Sequence, residues 1–278
     1  MSKPRQSTPE IVIKPLTAKR ILDPNLWKYR NLFLNLVRKD IRVSNKSTSL
    51  AFLWASSSPL AMTLIFVSLS RLSSANMHVT MPYMVYLFSG YILWFYFLDA
   101  AMGASMSLTN EAGVIKKIYF PRLIIPLVPV FSKLHKFALS CLPLIALCAY
   151  EKVYPDAKIL LLLVVLPLCM LHAFSLGTLF AAVGLDSKDP QKLLALILQL
   201  GVFVSPIIYT PDMIPGKLRF VYNLNPLVGV FMGFRSVIDA NTVFPYKDVA
   251  YSFCAGLVLL AVALYLYARA EIHLADKL

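Results

Sequence analysis

The sequence predicts an all-α integral membrane protein with six transmembrane helices, an N-terminal amphipathic interface helix and an outer-side re-entrant segment. Three observations predict it. First, 58% of the residues are hydrophobic and only 15% are charged, where soluble domains sit near roughly 45–50% and about 25%. The mean hydropathy is +0.68. Second, the apolar excess comes in long uninterrupted runs. A hydrocarbon core ~30 Å thick takes about 20 apolar residues per helix, and backbone groups inside it must be paired within the segment. Third, the charge is gathered at one end. Residues 1–49 hold eleven Lys/Arg against Glu10, Asp23 and Asp40, out of a net charge of +13. No groove-reading module or aromatic platform accompanies that charge, so it reads as the positive-inside signal and places the N-terminus in the cytoplasm, with no nucleic-acid partner.

The first 25 residues are polar and carry Pro4, Pro9 and Pro15. They read as a disordered cytoplasmic tail, and no signal peptide is visible. Residues 26–48 form the interface helix. Leu26, Tyr29, Phe33, Leu36, Val37 and Ile41 recur at helical spacing, while Lys28, Arg30, Arg38, Lys39 and Arg42 take other faces. Such a helix suits the cytoplasmic interface and its membrane lipids, or a soluble partner.

Residues 49–278 are the membrane domain. Its spans are expected at Leu50–Leu69, Met81–Leu108, Leu123–Tyr150, Ile159–Val183, Leu193 to about Tyr209, and Val249–Ala268. With the N-terminus inside, Asn110–Arg122 is a cytoplasmic loop holding Lys116, Lys117 and Arg122, and the C-terminus returns inside. The stretch Ser205–Lys247 differs. Pro206, Pro211, Pro215 and Pro226 interrupt it, and the apolar segment Leu227–Phe234 is too short to cross. A segment of that length reads as re-entrant, and irregular backbone at membrane depth is tolerated only against protein or a water-filled cavity.

Charges within spans are functional hypotheses. Asp99 lies eleven residues before Asn110, and Lys133 eleven after Arg122. At ~1.5 Å per residue both sit ~16 Å from the cytoplasmic end, which predicts an intramembrane ion pair Asp99–Lys133. The competing reading lets Lys133 or Lys136 face a conduit and attract an anionic group. Tyr83, Tyr86, Tyr150 and Tyr209 read as interfacial belts. Trp54, Trp94, Phe203 and Phe231 are either core and belt residues or the lining of a sugar path.

Chemistry of other kinds is missing. There is no GxxxxGK[ST] phosphate loop, no HExxH, no GxSxG and no metal-spaced His/Cys set, so neither catalytic nor metal residues are expected. Cys141, Cys148, Cys169 and Cys254 lie in apolar runs and read as small buried hydrophobes.

Five stretches carry a family resemblance. They are Asp40-Ile41-Arg42-Val43-Ser44-Asn45-Lys46 with Leu53-Trp54, Pro59-Leu60-Ala61-Met62 and Ile65-Phe66; Asn110-Glu111-Ala112-Gly113-Val114-Ile115-Lys116-Lys117 through Phe120-Pro121-Arg122 and Ile125-Pro126; Asp186-Ser187-Lys188-Asp189; Ser205-Pro206-Ile207-Ile208-Tyr209 with Ile214-Pro215; and Leu224-Asn225-Pro226-Leu227 closing at Gly233-Phe234-Arg235. In this order they resemble the ABC-2 (type-2 ABC exporter) permeases, in the polysaccharide-exporting branch that serves O-antigen, capsule and teichoic acid. Asn45 stands where that family often has Tyr, and Ala51 where Gly is common.

The resemblance implies a homodimeric permease working with two copies of a separate ATP-binding subunit. ATP and Mg would sit on that subunit, and this chain would bind no cofactor and catalyse nothing. The implied cargo is a lipid-linked polysaccharide, and the implied location is the bacterial inner membrane. Alternatives are a small-molecule or drug exporter on the same fold, or a membrane-embedded glycan or lipid transferase. By position, Asn110, Glu111, Val114, Ile115, Lys116 and Lys117, with Arg38 and Arg42 of the interface helix, would couple to the ATPase. Pro206, Pro211, Pro215, Asn225, Pro226 and Arg235 would form the outer gate. Trp54, Trp94, Phe203, Tyr209, Lys133 and Lys136 would border the conduit.

Overall fold

The structure is a computed structural model that describes residues 26–45, 51–72, 81–115, 120–185, 187–210, 213–217 and 219–277. The expected tail, residues 1–25, lies outside the described residues, as do residues 46–48 of the expected interface helix. Among the described residues the regular structure is entirely helical. A 3-10 turn at Leu26–Tyr29 leads into α1 (Arg30–Asn45). There follow α2 (Ala51–Leu72), α3 (Tyr83–Asn110), the single turn α4 (Ala112–Ile115), α5 (Ile124–Ser132), α6 (Leu134–Tyr150), α7 (Leu162–Val183), α8 (Asp189–Val204), the short α9 (Arg219–Leu224), α10 (Leu227–Ile238) and α11 (Tyr246–Lys277).

Four helical stretches are long and apolar enough to cross a membrane: Tyr83–Asn110, Ile124–Tyr150, Ala157–Val183 and Tyr246–Ala270. The chain is therefore a multi-pass membrane protein. The expected first span appears as α2, with a shorter apolar stretch, Ala55–Ser70. The expected fifth span appears as α8, whose 16 residues reach only about 24 Å. Pro190 sits in the first turn of α8, where its missing N–H costs nothing. The helix stops at Ser205, ahead of Pro206, as the restriction on a residue before proline requires.

The third expected span is two helices in one line. α5 and α6 meet at Lys133, whose N–H still bonds to the Pro129 carbonyl at 3.0 Å. Pro129 lies inside α5; its missing N–H and its crowding fall on the turn before it, at Ile125, and not at the Lys133 junction.

α3 is the centre of the bundle. Over its apolar stretch 78% is buried, against 22–33% for the other three. It packs against α2, α5, α6, α7 and α8. Its contact with α7 is close because Gly177 has no side chain: a Cβ there would lie 2.4 Å from Ala104 Cβ and 2.7 Å from the Ala101 carbonyl oxygen. The principal core runs from Met81 and Val85 through Trp94 and Phe97 to Phe231 and Phe234. A second cluster gathers Leu36, Leu108, Ile125, Ala181 and Tyr267 at the end of the bundle that carries α1.

Large apolar side chains cover the periphery, among them Leu142, Ile145, Leu163 and Val258. In water such a surface would be an aggregation liability; against lipid tails it is the ordinary exterior. Cys254 belongs to that exterior, which corrects its expected burial, whereas Cys148 and Cys169 are buried and Cys141 is half-buried.

Candidate functional site

Two polar networks stand out, one at each end of α3. At the α1 end, α3 finishes at Asn110. The Glu111 N–H caps it by donating to the Ser107 carbonyl at 3.0 Å, and α4 continues immediately from Ala112. Lys39 of α1 donates to both carboxylate oxygens of Glu111, each at 2.8 Å. The next residue, Asp40, accepts from Lys133 Nζ at 3.2 Å and from the Ser132 hydroxyl. Phe33 meets Phe131 edge-on at 5.3 Å. Consecutive residues of one helix thus hold two different elements, the α3–α4 corner and the α5–α6 junction. Between them lies a cavity of about 130 Å³, lined by Asp40, Ser107, Asn110, Glu111, Pro129 and Lys133 among others.

Arg38 and Arg42 are exposed beside this clamp, as is Asn110, and Ile115 is half-buried. The Val114 side chain, Lys116 and Lys117 lie outside the described residues. Of the Asp186–Asp189 motif, Asp186 also lies outside. Asp189 accepts from Lys192 at 2.9 Å, and that bond holds its carboxyl below the usual range.

Asp99 pairs with Lys136, at 3.1 Å, and not with Lys133. This corrects the expected ion pair. The depth count started at Arg122, but the helix starts at Ile124. Counted from there, the residue level with Asp99 falls at His135, and Lys136 is next. Lys133 lies one turn nearer the α1 end, within reach of Asp40.

The aromatic candidates separate. Trp94 is 3% exposed, with its ring centroid 5.6 Å from Phe97 and 6.2 Å from Phe231. A Cβ on Gly201 would lie 2.7 Å from the indole. Trp94 and Phe231 are therefore core residues in this chain, which corrects the reading of Trp94 as conduit. Phe203 is exposed on α8. The Trp54 side chain lies outside the described residues.

At the opposite end, the turn Ser205–Tyr209 leaves α8 and is tied down along its length. Arg235, in the last turn of α10, donates from Nη1 to the Pro206 carbonyl and from Nη2 to the Ile207 carbonyl at 3.1 Å and the Tyr86 carbonyl at 3.2 Å. Its guanidinium carbon lies 3.4 Å from the centre of the Tyr86 ring. The Tyr83 hydroxyl donates to the Ile208 carbonyl at 3.1 Å, and the Tyr86 hydroxyl to the Tyr209 carbonyl at 2.7 Å. So Tyr83 and Tyr86, expected as belt residues, are tethers.

Tyr209 turns back, its hydroxyl donating to the Val204 carbonyl at 2.9 Å. Asn225 joins the same corner. Its Oδ1 accepts from the Leu227 N–H at 3.0 Å, and its Nδ2 donates to Ser205 Oγ at 3.3 Å. Pro226 precedes α10 and accepts from the Ser252 hydroxyl. Pro215 lies in the loop before α9, and Pro211 lies outside the described residues.

Sequence reasoning missed Lys39, Asp40, Ser132, Tyr83 and Tyr86 as members of these networks. Only the spacing of Tyr83 and Tyr86, three apart on one helix face, carried a signal. Among the described residues no group of three His, Cys, Asp or Glu is placed to hold a metal ion.

A family model described as ABC-2 type transporter matches residues 31–238. The O-antigen export system permease protein RfbA of Klebsiella pneumoniae is 28% identical over 259 residues, covering 91% of this chain and 97% of the relative. The protein of the same name from Myxococcus xanthus is 24% identical over 216 residues, covering 76% of this chain and 82% of the relative.

Proposed function

The chain belongs to the ABC-2 type transporter family, and we propose that it is the permease of an exporter that moves a lipid-linked, O-antigen-like polysaccharide from the cytoplasm to the outer face of the bacterial inner membrane. The observation that carries this reading is the likeness to an O-antigen export permease over nearly the full length of both chains. In this reading two copies of the chain form the conduit. Two copies of a separate ATP-binding subunit bind ATP and Mg and hydrolyse the nucleotide, and this chain binds no cofactor. Both termini are cytoplasmic, so the α1 end of the bundle faces the ATPase. α2 and α8 complete six spans as short crossings that border the path, and the broken stretch from Pro206 to Arg235 is re-entrant and gates the outer side.

The clamp supports this division of labour. Closure of the ATPase would press on Asn110–Lys117, and Glu111 is bonded to Lys39 of α1. Asp40 carries the same helix to Lys133 at the α5–α6 junction. A push on the short corner would therefore displace the interface helix and two spans together. The exposed Arg38 and Arg42 would lie on the same docking face, and the exposed Phe203 on α8 would meet sugar faces along the path.

The test is deletion of the gene followed by an assay of lipid-linked glycan on each side of the inner membrane. Accumulation on the cytoplasmic side is expected. An unchanged distribution would reject the polysaccharide reading in favour of a small-molecule exporter. Glycan transfer that persists without any ATPase partner would favour a transferase.

A further inference from the structure

Arg235 is 2% exposed, and no carboxylate among the described residues pairs with it. Its Nε is buried and meets no acceptor of the described protein. A buried guanidinium ordinarily carries a counter-ion, because desolvating the charge is expensive. Here its partners are three backbone carbonyls and one aromatic face. Two of those carbonyls, Pro206 and Ile207, are adjacent links of one turn. The site is shaped for the group: a Cβ on Gly90 would lie 2.8 Å from Nη2 and 3.2 Å from Ile207 Cγ2. The position at the C-terminal turn of α10 favours a cation as well.

The four carbonyls from Pro206 to Tyr209 are each held by a side chain from another element. None of these bonds belongs to a helix ladder. Breaking them leaves the ladders of α3 and α10 intact, while Ser205 stays bonded to the Gly201 carbonyl of α8 at 2.9 Å and serves as the hinge end. When the turn leaves, the guanidinium regains water, which offsets part of what the bonds contributed.

We propose that Arg235 is a positioning residue that latches the turn Ser205–Tyr209 shut against α3, and that its missing counter-ion makes the latch releasable. A carboxylate partner would lock the turn; an apolar residue would leave four carbonyls to two phenols. Arginine is required because its planar fork reaches Pro206, Ile207 and Tyr86 at once while stacking on the ring, which an ammonium cannot do. What the release serves rests on the exporter reading above; the latch rests on the contacts alone.

The test measures labelling by a membrane-impermeant maleimide of Ile207→Cys, introduced with Cys254→Ser into the complete transporter in cells. Ile207 is 0% exposed, and the native Cys169, 1% exposed, is an internal control for global opening. Labelling at position 207 is expected to be slow in the otherwise native chain. It should rise roughly tenfold or more with Arg235→Gln and roughly two- to tenfold with Tyr86→Phe, which removes the hydroxyl tether to Tyr209 while keeping the ring under the guanidinium. Arg235→Lys should fall between the native chain and Arg235→Gln.

The latch is overturned by a rate at position 207 that stays native in Tyr86→Phe, or by Cys169 becoming labelled in step with position 207. Tyr86→Phe decides the matter if Arg235→Gln does not fold. Failure of the latch leaves glycan sidedness untouched, and failure of the exporter reading leaves the labelling pattern untouched, so the two are separable.

Discussion

Asp99 on α3 accepts from Lys136 on α6 at 3.1 Å, pinning two antiparallel neighbours at one depth. The two side chains are 38% and 37% exposed, so removing either charge leaves the other partly accessible and without its partner. Asp99→Asn is expected to cost up to about 1 kcal/mol of stability. The swap of Asp99→Lys with Lys136→Asp should recover most of that in a thermal melt of the purified protein. The swap with Lys133→Asp should recover none, since Lys133 serves Asp40. Recovery with position 133 and none with 136 would refute the pairing.

The Lys39–Glu111 bridge is half in solvent, with Lys39 52% exposed, so its contribution to stability is at most about 1 kcal/mol. Its predicted importance is mechanical. Glu111→Lys should leave the melting temperature nearly unchanged while export per ATP hydrolysed falls several-fold, and adding Lys39→Glu should restore the ratio. Charge reversal at Lys116 and Lys117 should likewise leave hydrolysis running without export. Unchanged export per ATP in both sets would remove the coupling role from this corner.

Trp94 and Phe203 should behave as opposites. Trp94→Ala removes a core indole and is expected to cost about 3–5 kcal/mol. Phe203→Ala lies on an exposed face and should leave stability within about 0.5 kcal/mol of native, with its effect on export instead. Equal stability losses would mean that Phe203 is covered in the folded chain.

Gly177 and Gly113 make a matched pair. An alanine at 177 must displace Ala104 Cβ and the Ala101 carbonyl, whereas nothing lies within 4 Å of a Cβ at 113. Gly177→Ala is expected to cost about 1–3 kcal/mol by forcing α3 and α7 apart. Gly113→Ala should be neutral or slightly stabilising. Chemical denaturation in detergent separates them, and an unaffected Gly177→Ala would show that α7 has room to move.

Much of the fold was readable because a bilayer imposes length and composition one helix at a time. The runs around Val85, Leu144, Val165 and Val258 became four crossing helices, and the basic stripe around Arg38 and Arg42 became α1. α8 ends at Val204, ahead of Pro206 and five residues short of the span expected to run to about Tyr209. What could not be read were choices made between helices. Whether Asp99 meets Lys133 or Lys136 turns on a helix starting two residues later than the charge pattern suggested. Asp40 finds Ser132 and Lys133 across more than ninety residues, a separation that periodicity does not encode. Trp94 has the same composition signal as a lining residue, and only packing against Gly201 and Phe231 assigns it to the core. Arg235 was legible as a member of the outer segment, but its carbonyl partners belong to Pro206, Ile207 and Tyr86, backbone groups that no side-chain pattern announces.

Because α3 is enclosed on nearly every side, the ribosome releases the molecule's innermost helix before most of the helices that surround it. Its Tyr and Ser hydroxyls and the Asp99 carboxylate reach the insertion machinery while α5, α6, α7 and α8 are still unmade. Lys136 follows Asp99 by 37 residues, so for that interval the carboxylate has no partner. The half-made chain is thus least at home in lipid at the helix on which the finished one depends most, and the hairpin of α3 with α5–α6 is the first product of synthesis that can hold it there.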